Sequence, residues 1–203
     1  MRGVAQRVRT DSISDETNRS EENLMTSGAV TTPGAIRPEP DEYLPYYSRY
    51  IQRVPDGDVV STLSSQIGET LALLRGLPES VATYRYAPDK WSVNEMVGHM
   101  IDTEKIFAYR ALRFARADKT PVPGYEQDDY VRGSSFNSYP LSELADELEI
   151  VRQSTLYFFR HLDDEAWSRR GTANNAEVSV KALAYIIAGH ELHHREMLRS
   201  RYL

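Results

Sequence analysis

The chain has 203 residues with no cysteine, a net charge of -6 and a sequence pI near 5.4. The missing cysteine excludes disulfide scaffolds, thiolate zinc sites, iron–sulfur clusters and cysteine nucleophiles. The acidic balance argues against a nucleic-acid partner, and no apolar run approaches the roughly 18 residues of a membrane span.

All the aromatic residues (5 Phe, 2 Trp, 13 Tyr) lie at or after Tyr43. The segment before it carries prolines 33, 38 and 40, with five basic and six acidic residues in its first forty. Such a composition buries too little apolar surface to offset the entropy of ordering. Residues 1 to about 40 are therefore expected to be a disordered tail, and 41–203 the folded domain. Arg2, Arg7 and Arg9 hint at a transit peptide, but acids follow at once from Asp11 and there is no apolar h-region, so no targeting role is expected. Initiation at Met25 is the alternative account of the tail, and a full-length intact mass excludes it.

Four helical patterns follow. The first covers about Val59 to Leu77, with Leu63, Ile67, Leu71 and Leu74 at spacings of three and four, bounded by Gly57 and by Gly76 and Pro78. The second runs from Ser92 to about Ala117. Ser92 and Glu95 form a capping box, and Met96, Val97, Met100, Ile101, Phe107, Ala111 and Leu112 make the inward stripe. The third begins at Pro140, tolerated as a first helical residue, and carries Leu144, Leu148, Val151, Leu156 and Phe159. The fourth starts after the N-cap candidate Ser179 and runs almost to the C-terminus through Leu183, Ile187 and Met197. A short extra turn fits about 163–170. No alternating strand pattern exceeds three or four residues, so the class is all-α, a four-helix bundle.

The link 118–139 is long, with two prolines and two glycines. The second helix spans about 39 Å, and a link of this length reaches about 70 Å. It can return along the bundle as a crossover between helices two and three, giving an up-down-down-up order.

The histidines carry the chemical signal. His190 and His194 are four apart on the apolar face of the fourth helix, three after Ile187 and three before Met197. His99 faces inward from the second helix. With the second and fourth helices antiparallel, the three rings fall at similar depths, about 10–20 Å from one end. A shared metal satisfies imidazoles that burial would otherwise leave unpartnered, at a cost of about 1–3 kcal/mol each. His193 points about 100° away from His194, and His161 reads as a helix-end residue; neither is expected to ligate.

His190, Glu191 and His194 also spell H-E-x-x-H, the helix motif of zinc proteases. The chain has only nine residues after His194 and no sheet to bind an extended peptide, so a metal helix is expected, not a protease, with Glu191 paired to Arg195. Asp102, one turn after His99, is a candidate carboxylate beside the site. Tyr125 to Tyr130 of the crossover are candidates to line its mouth.

The segments YAPDKWS from Tyr86, GHMID from Gly98 and GHELHH from Gly189 resemble the DinB-like (YfiT-like) superfamily of metal-dependent four-helix-bundle proteins. The likeness runs from about residue 41 to the end. It implies the crossover bundle, often as a homodimer, and zinc or nickel bound through His99, His190 and His194. Lys90 and Trp91 match the motif but read as fold residues, with Trp91 packing the entrance of the second helix. Some relatives are S-transferases or isomerases using low-molecular-weight thiols. The expectation is a cytoplasmic enzyme of transferase or hydrolase type, acting through a divalent metal on a small molecule, which a thiol would suit. The alternative is a stress-associated module whose metal is only structural. Three imidazoles accept several divalent ions, so the donor set does not choose between zinc and nickel.

Overall fold

The computed structural model describes residues 33–203; most of the expected tail lies outside them. Residues 33–40 belong to the body, a correction to the boundary near 40. Gly34 and Pro38 are buried, and Arg37 donates to the carbonyls of Ile51 (2.6 Å) and Val54 (2.7 Å). One cationic side chain fastens a segment that composition assigns to solvent.

A short helix α1 (Ser48–Ile51) precedes the first long one, α2 (Val59–Arg75), whose N-cap is Asp58, accepting from the Ser61 amide. The second long helix, α3 (Val93–Ala115), begins at the expected Ser92–Glu95 capping box, with both reciprocal bonds made. The crossover contains a helix, α4 (Gln127–Arg132), unforeseen in the sequence. The third long helix is α5 (Leu141–Arg160); Pro140 precedes it as the extended cap residue. Then come the expected short turn α6 (Asp164–Ser168) and the last long helix α7 (Val180–Met197), capped by Ser179 accepting from the Ala182 amide.

Between α6 and α7 lies a hairpin, β1 (Arg170–Ala173) and β2 (Ala176–Ser179), paired antiparallel from Arg170–Ser179 to Ala173–Ala176. Asn174 and Asn175 both take positive φ (52° and 60°), as a two-residue primed hairpin turn demands. Val122 of the crossover accepts from the Asn174 amide and donates to Thr172, so the hairpin pins the returning chain.

The core falls into two apolar clusters at opposite ends of the bundle. One gathers Val59 and Leu63 with Phe107, Phe114, Phe159, Val180 and Ala182–Ala188. The other gathers Leu71 and Leu74 with Met96, Met100, Leu141, Leu148 and Leu198. The starts of α2 and α7 therefore share one end with the finishes of α3 and α5. That is the up-down-down-up order, with α3 parallel to α5 and antiparallel to α7. Among the described residues no helix is long and apolar enough to cross a membrane.

Where the two clusters meet, the four long helices share one buried ionic group. Arg152 of α5, with no side-chain exposure, donates to both oxygens of Glu104 on α3 (2.9 and 2.8 Å) and to the Leu63 carbonyl on α2 (3.0 Å). It also pairs with Glu191 on α7 at 2.6 Å. Burial disfavours the guanidinium charge, but attraction to the two carboxylates more than offsets this and raises its pKa. Arg152→Leu would leave two carboxylates buried without a counter-charge. It should cost about 3–5 kcal/mol by denaturant titration; a loss under 1 kcal/mol would show that the group is not holding the bundle.

Candidate metal centre

Two helix–glycine contacts shape the site. Gly98 immediately precedes His99, and a Cβ there would lie 2.2 Å from the Phe136 ring of the crossover. Gly189 immediately precedes His190, and a Cβ there would lie 2.0 Å from the Tyr50 carbonyl oxygen. Each missing side chain lets a covering segment rest directly on the helix. α1 thereby brings the Tyr50 ring to 5.3 Å from that of His190 and 5.5 Å from that of His193.

The antiparallel α3 and α7 bring His99, His190 and His194 together, and all three are buried. His99 Nε2 lies 3.0 Å from His190 Nε2, which lies 3.1 Å from His194 Nε2. Thr103 Oγ1 is 3.4 Å from His99 Nδ1 and 2.9 Å from the Tyr125 hydroxyl. The Trp91 ring covers His99 at 4.7 Å, so this tryptophan packs on the site as well as on the helix entrance. Its carbonyl accepts from the Tyr202 hydroxyl at 2.7 Å.

Burial lowers the pKa of His99 to about 4, and pushes His190 and His194 well below the ordinary imidazole range. The rings are thus uncharged at neutral pH. Neutral imidazoles have one N–H each, so three Nε2 atoms facing one another at 3.0 and 3.1 Å cannot all be satisfied among themselves. A cation that accepts three lone pairs fits this donor set, with each N–H then carried on Nδ1.

The other candidates fall elsewhere. Asp102 is not among the converging groups; burial raises its pKa, and the charges acting on it are those of Lys105 and Glu147. Thr103, four residues after His99, stacks one turn along and takes the place expected for Asp102. Glu191 does not pair with Arg195. Its oxygens accept from Gln66 and Thr70 and pair with Arg152, whereas Arg195 reaches the Gln66 carbonyl and Glu69. Glu191 points across α7 toward α2 and α5 and is fully engaged there. His193 is half-buried beside Tyr50, and His161 caps the end of α5 near Tyr157.

Two clefts reach the histidines. One, about 430 Å³, lies on the His190 side and is walled by Tyr46, Tyr47, Phe107, Tyr125 and Thr103. The other, about 440 Å³, lies on the His194 side, with Arg49, Lys90, Trp91, His193 and Tyr202. Tyr50, Gln127 and Asp128 line both. Of the crossover residues expected at the mouth, Tyr125, Glu126, Gln127 and Asp128 are there.

The low histidine pKa values fix how stability responds to acid. The unfolded chain takes up protons at these histidines near pH 6.5, while in the folded chain burial holds His99 neutral down to about pH 4 and likewise pushes His190 and His194 well below the ordinary range. Chelator-stripped protein should therefore lose stability as pH falls from about 6.5 toward 4. Melting temperatures that stay flat across that window would contradict the buried, neutral state of the rings.

The DinB superfamily pattern matches residues 62–198. A curated relative from Oceanobacillus iheyensis, named "Putative metal-dependent hydrolase", is 24% identical over 137 residues, covering 66% of this chain and 76% of its own. Among solved structures, YfiT from Bacillus subtilis, described as a probable metal-dependent hydrolase with an unusual four-helix bundle topology, superposes with a TM-score of 0.58 at 15% identity. The match covers 82% of this chain and 93% of YfiT. A mycothiol-dependent maleylpyruvate isomerase superposes with the same TM-score, 0.58, at 10% identity, over 68% of this chain and 58% of its own. These two share the fold. With most of the chain inside the family pattern, this protein belongs to the DinB superfamily.

Proposed function

We propose that His99, His190 and His194 hold a divalent cation, zinc or nickel, and that the chain is an enzyme of hydrolase or transferase type acting on a small molecule. The observation that carries this reading is the convergence of three buried, neutral imidazoles at a point reached by two clefts. Three protein ligands leave a position free for a substrate atom. When bound, the ion supplies Lewis acidity, lowering the pKa of a water or thiol brought to it.

The remaining work falls to side chains on the cleft walls. Burial raises the pKa of Tyr125, and that of Tyr50 to about 12, so both hydroxyls stay protonated and can donate to a substrate oxygen. Burial lowers the pKa of His193, which leaves its imidazole free to accept a proton from the His194 side. Trp91 shields His99 from water. The metal-dependent hydrolase named among the relatives supports the hydrolytic form. The mycothiol-dependent neighbour supports a thiol as co-substrate, and the absence of cysteine means that such a thiol must arrive with the substrate.

Ligands drawn from both α3 and α7 also favour a second reading, in which the ion only clamps two helices in a stress-associated module. Both readings expect about one zinc or nickel per chain by elemental analysis, and far less in His99→Ala; unchanged occupancy in that variant would sink the site. Chelation lowers the melting temperature in either case, and turnover of an ester or a thiol-conjugation substrate by the loaded protein separates enzyme from clamp. Thr103→Val, which removes the Nδ1 partner of His99, should weaken ion binding about 10–100-fold in a competition titration. An unchanged dissociation constant would show that Thr103 does not orient the ring.

A further inference from the structure

We propose that the cleft on the His190 side takes an uncharged aromatic ring, so that the substrate is an aromatic compound whose reacting group reaches the histidines from this side. The inference deepens the metal reading above and rests on it for where the reacting group goes; the seat for the ring is a property of the cleft walls alone.

One wall is made of rings already in contact. Tyr47 meets Tyr46 edge-on at 5.3 Å and Phe107 edge-on at 6.0 Å, and lies 6.5 Å from Tyr50. Tyr50 in turn meets the His190 ring edge-on at 5.3 Å. Aromatic surface therefore runs unbroken from the exposed Tyr46 to the candidate metal centre. The crossover supplies Tyr125, fixed by the contact of its hydroxyl with Thr103 at 2.9 Å. Arg110 is buried and donates to the Pro123 carbonyl at 3.0 Å, with its guanidinium 5.3 Å from the Phe107 ring centre and 5.8 Å from that of Tyr125. One cation thus holds the crossover ring and the α3 ring in a set relation.

The cleft bounded by these rings, about 430 Å³, is of the size that holds a small organic ligand. Rings attract rings in edge-on and offset arrangements, which adds to affinity beyond the area buried. Walls fixed beforehand lose little freedom on binding. The charges favour no ion: Glu126 and Asp128 line the cleft, while Arg49 lies over Tyr46 and Tyr50, and Arg110 over Phe107 and Tyr125. Two acids stand against two guanidiniums, and the other polar side chains that line the cleft, such as Thr103, Gln127 and Asn174, are neutral.

The test is a ligand-observed NMR titration of the full chain, zinc-loaded and chelator-stripped, with benzamide and cyclohexanecarboxamide, which share the amide and differ in the ring. Wild type should bind benzamide about three- to tenfold more tightly, although the saturated ring is the more apolar. Tyr125→Leu and Tyr47→Leu each keep an apolar side chain but remove a ring, and should lower that ratio toward one. Their continued binding of cyclohexanecarboxamide would show that the cleft is still formed. Tyr125→Phe, which keeps the ring and drops the hydroxyl, should retain the preference, and so should the stripped wild type at lower overall affinity. A wild-type ratio near one, no benzamide binding by wild type, or a ratio unchanged in both leucine variants would overturn the proposal. A ring preference at equal affinity in loaded and stripped protein supports the seat and counts against the metal reading instead.

Discussion

A guanidinium with no access to solvent sits where four helices meet, and much of the structure follows from keeping it satisfied. Removing a charge from water costs several kcal/mol, so each group around Arg152 is obligatory: Glu104 from α3, Glu191 from α7 and the Leu63 carbonyl from α2. These contacts set the axial positions of the helices relative to one another. Glu104 lies five residues after His99, and Glu191 directly follows His190. The register that satisfies Arg152 is therefore the one that brings His99 level with His190 and His194. The ionic group and the histidine cluster are two consequences of one alignment of α3 against α7.

This also explains why the H-E-x-x-H spelling misleads. The glutamate after His190 lies about 100° round the helix from it, and in a zinc protease it stays free to lean toward the metal-bound water. Here that face meets α2 and α5, where Gln66, Thr70 and Arg152 take both carboxylate oxygens. The three imidazoles therefore have no carboxylate among the groups that converge with them, and the clefts beside them are lined by tyrosines with Arg49, the Lys90–Asp89 pair and Asp128. Glycines make this crowding possible. Gly98 and Gly189 let the crossover and α1 close over the histidines, so the cover of the site is built from segments remote in sequence from its base.

The parts legible in the sequence are those set by local or periodic physics. The Ser92–Glu95 box and the Ser179 cap mark helix starts by side chain-to-backbone bonds within four residues. The His190–His194 spacing needs only helical geometry, and the length of the crossover permits the parallel α3–α5 pair. What escaped reading depends on partners far along the chain or on very short elements. The Arg37 anchor joins residues 14 and 17 apart. Glu191 and Arg152 meet only after the bundle assembles, so Arg195, four residues away, looked the better partner. The hairpin has four-residue strands, below the length at which alternation stands out, and its best signal was the Asn174–Asn175 pair at the turn. The choice of Thr103 over Asp102 turned on a single residue of helical phase.

The central claim is that one ion sits among three imidazoles from α3 and α7. Anomalous diffraction from crystals of the native protein, collected on both sides of the zinc and nickel edges, addresses it without assuming any activity. The account predicts one strong peak per chain, bounded by the Nε2 atoms of His99, His190 and His194. A peak held instead by the carboxylates of Asp89 or Asp128, or strong diffraction with no anomalous peak at the histidines, would contradict it.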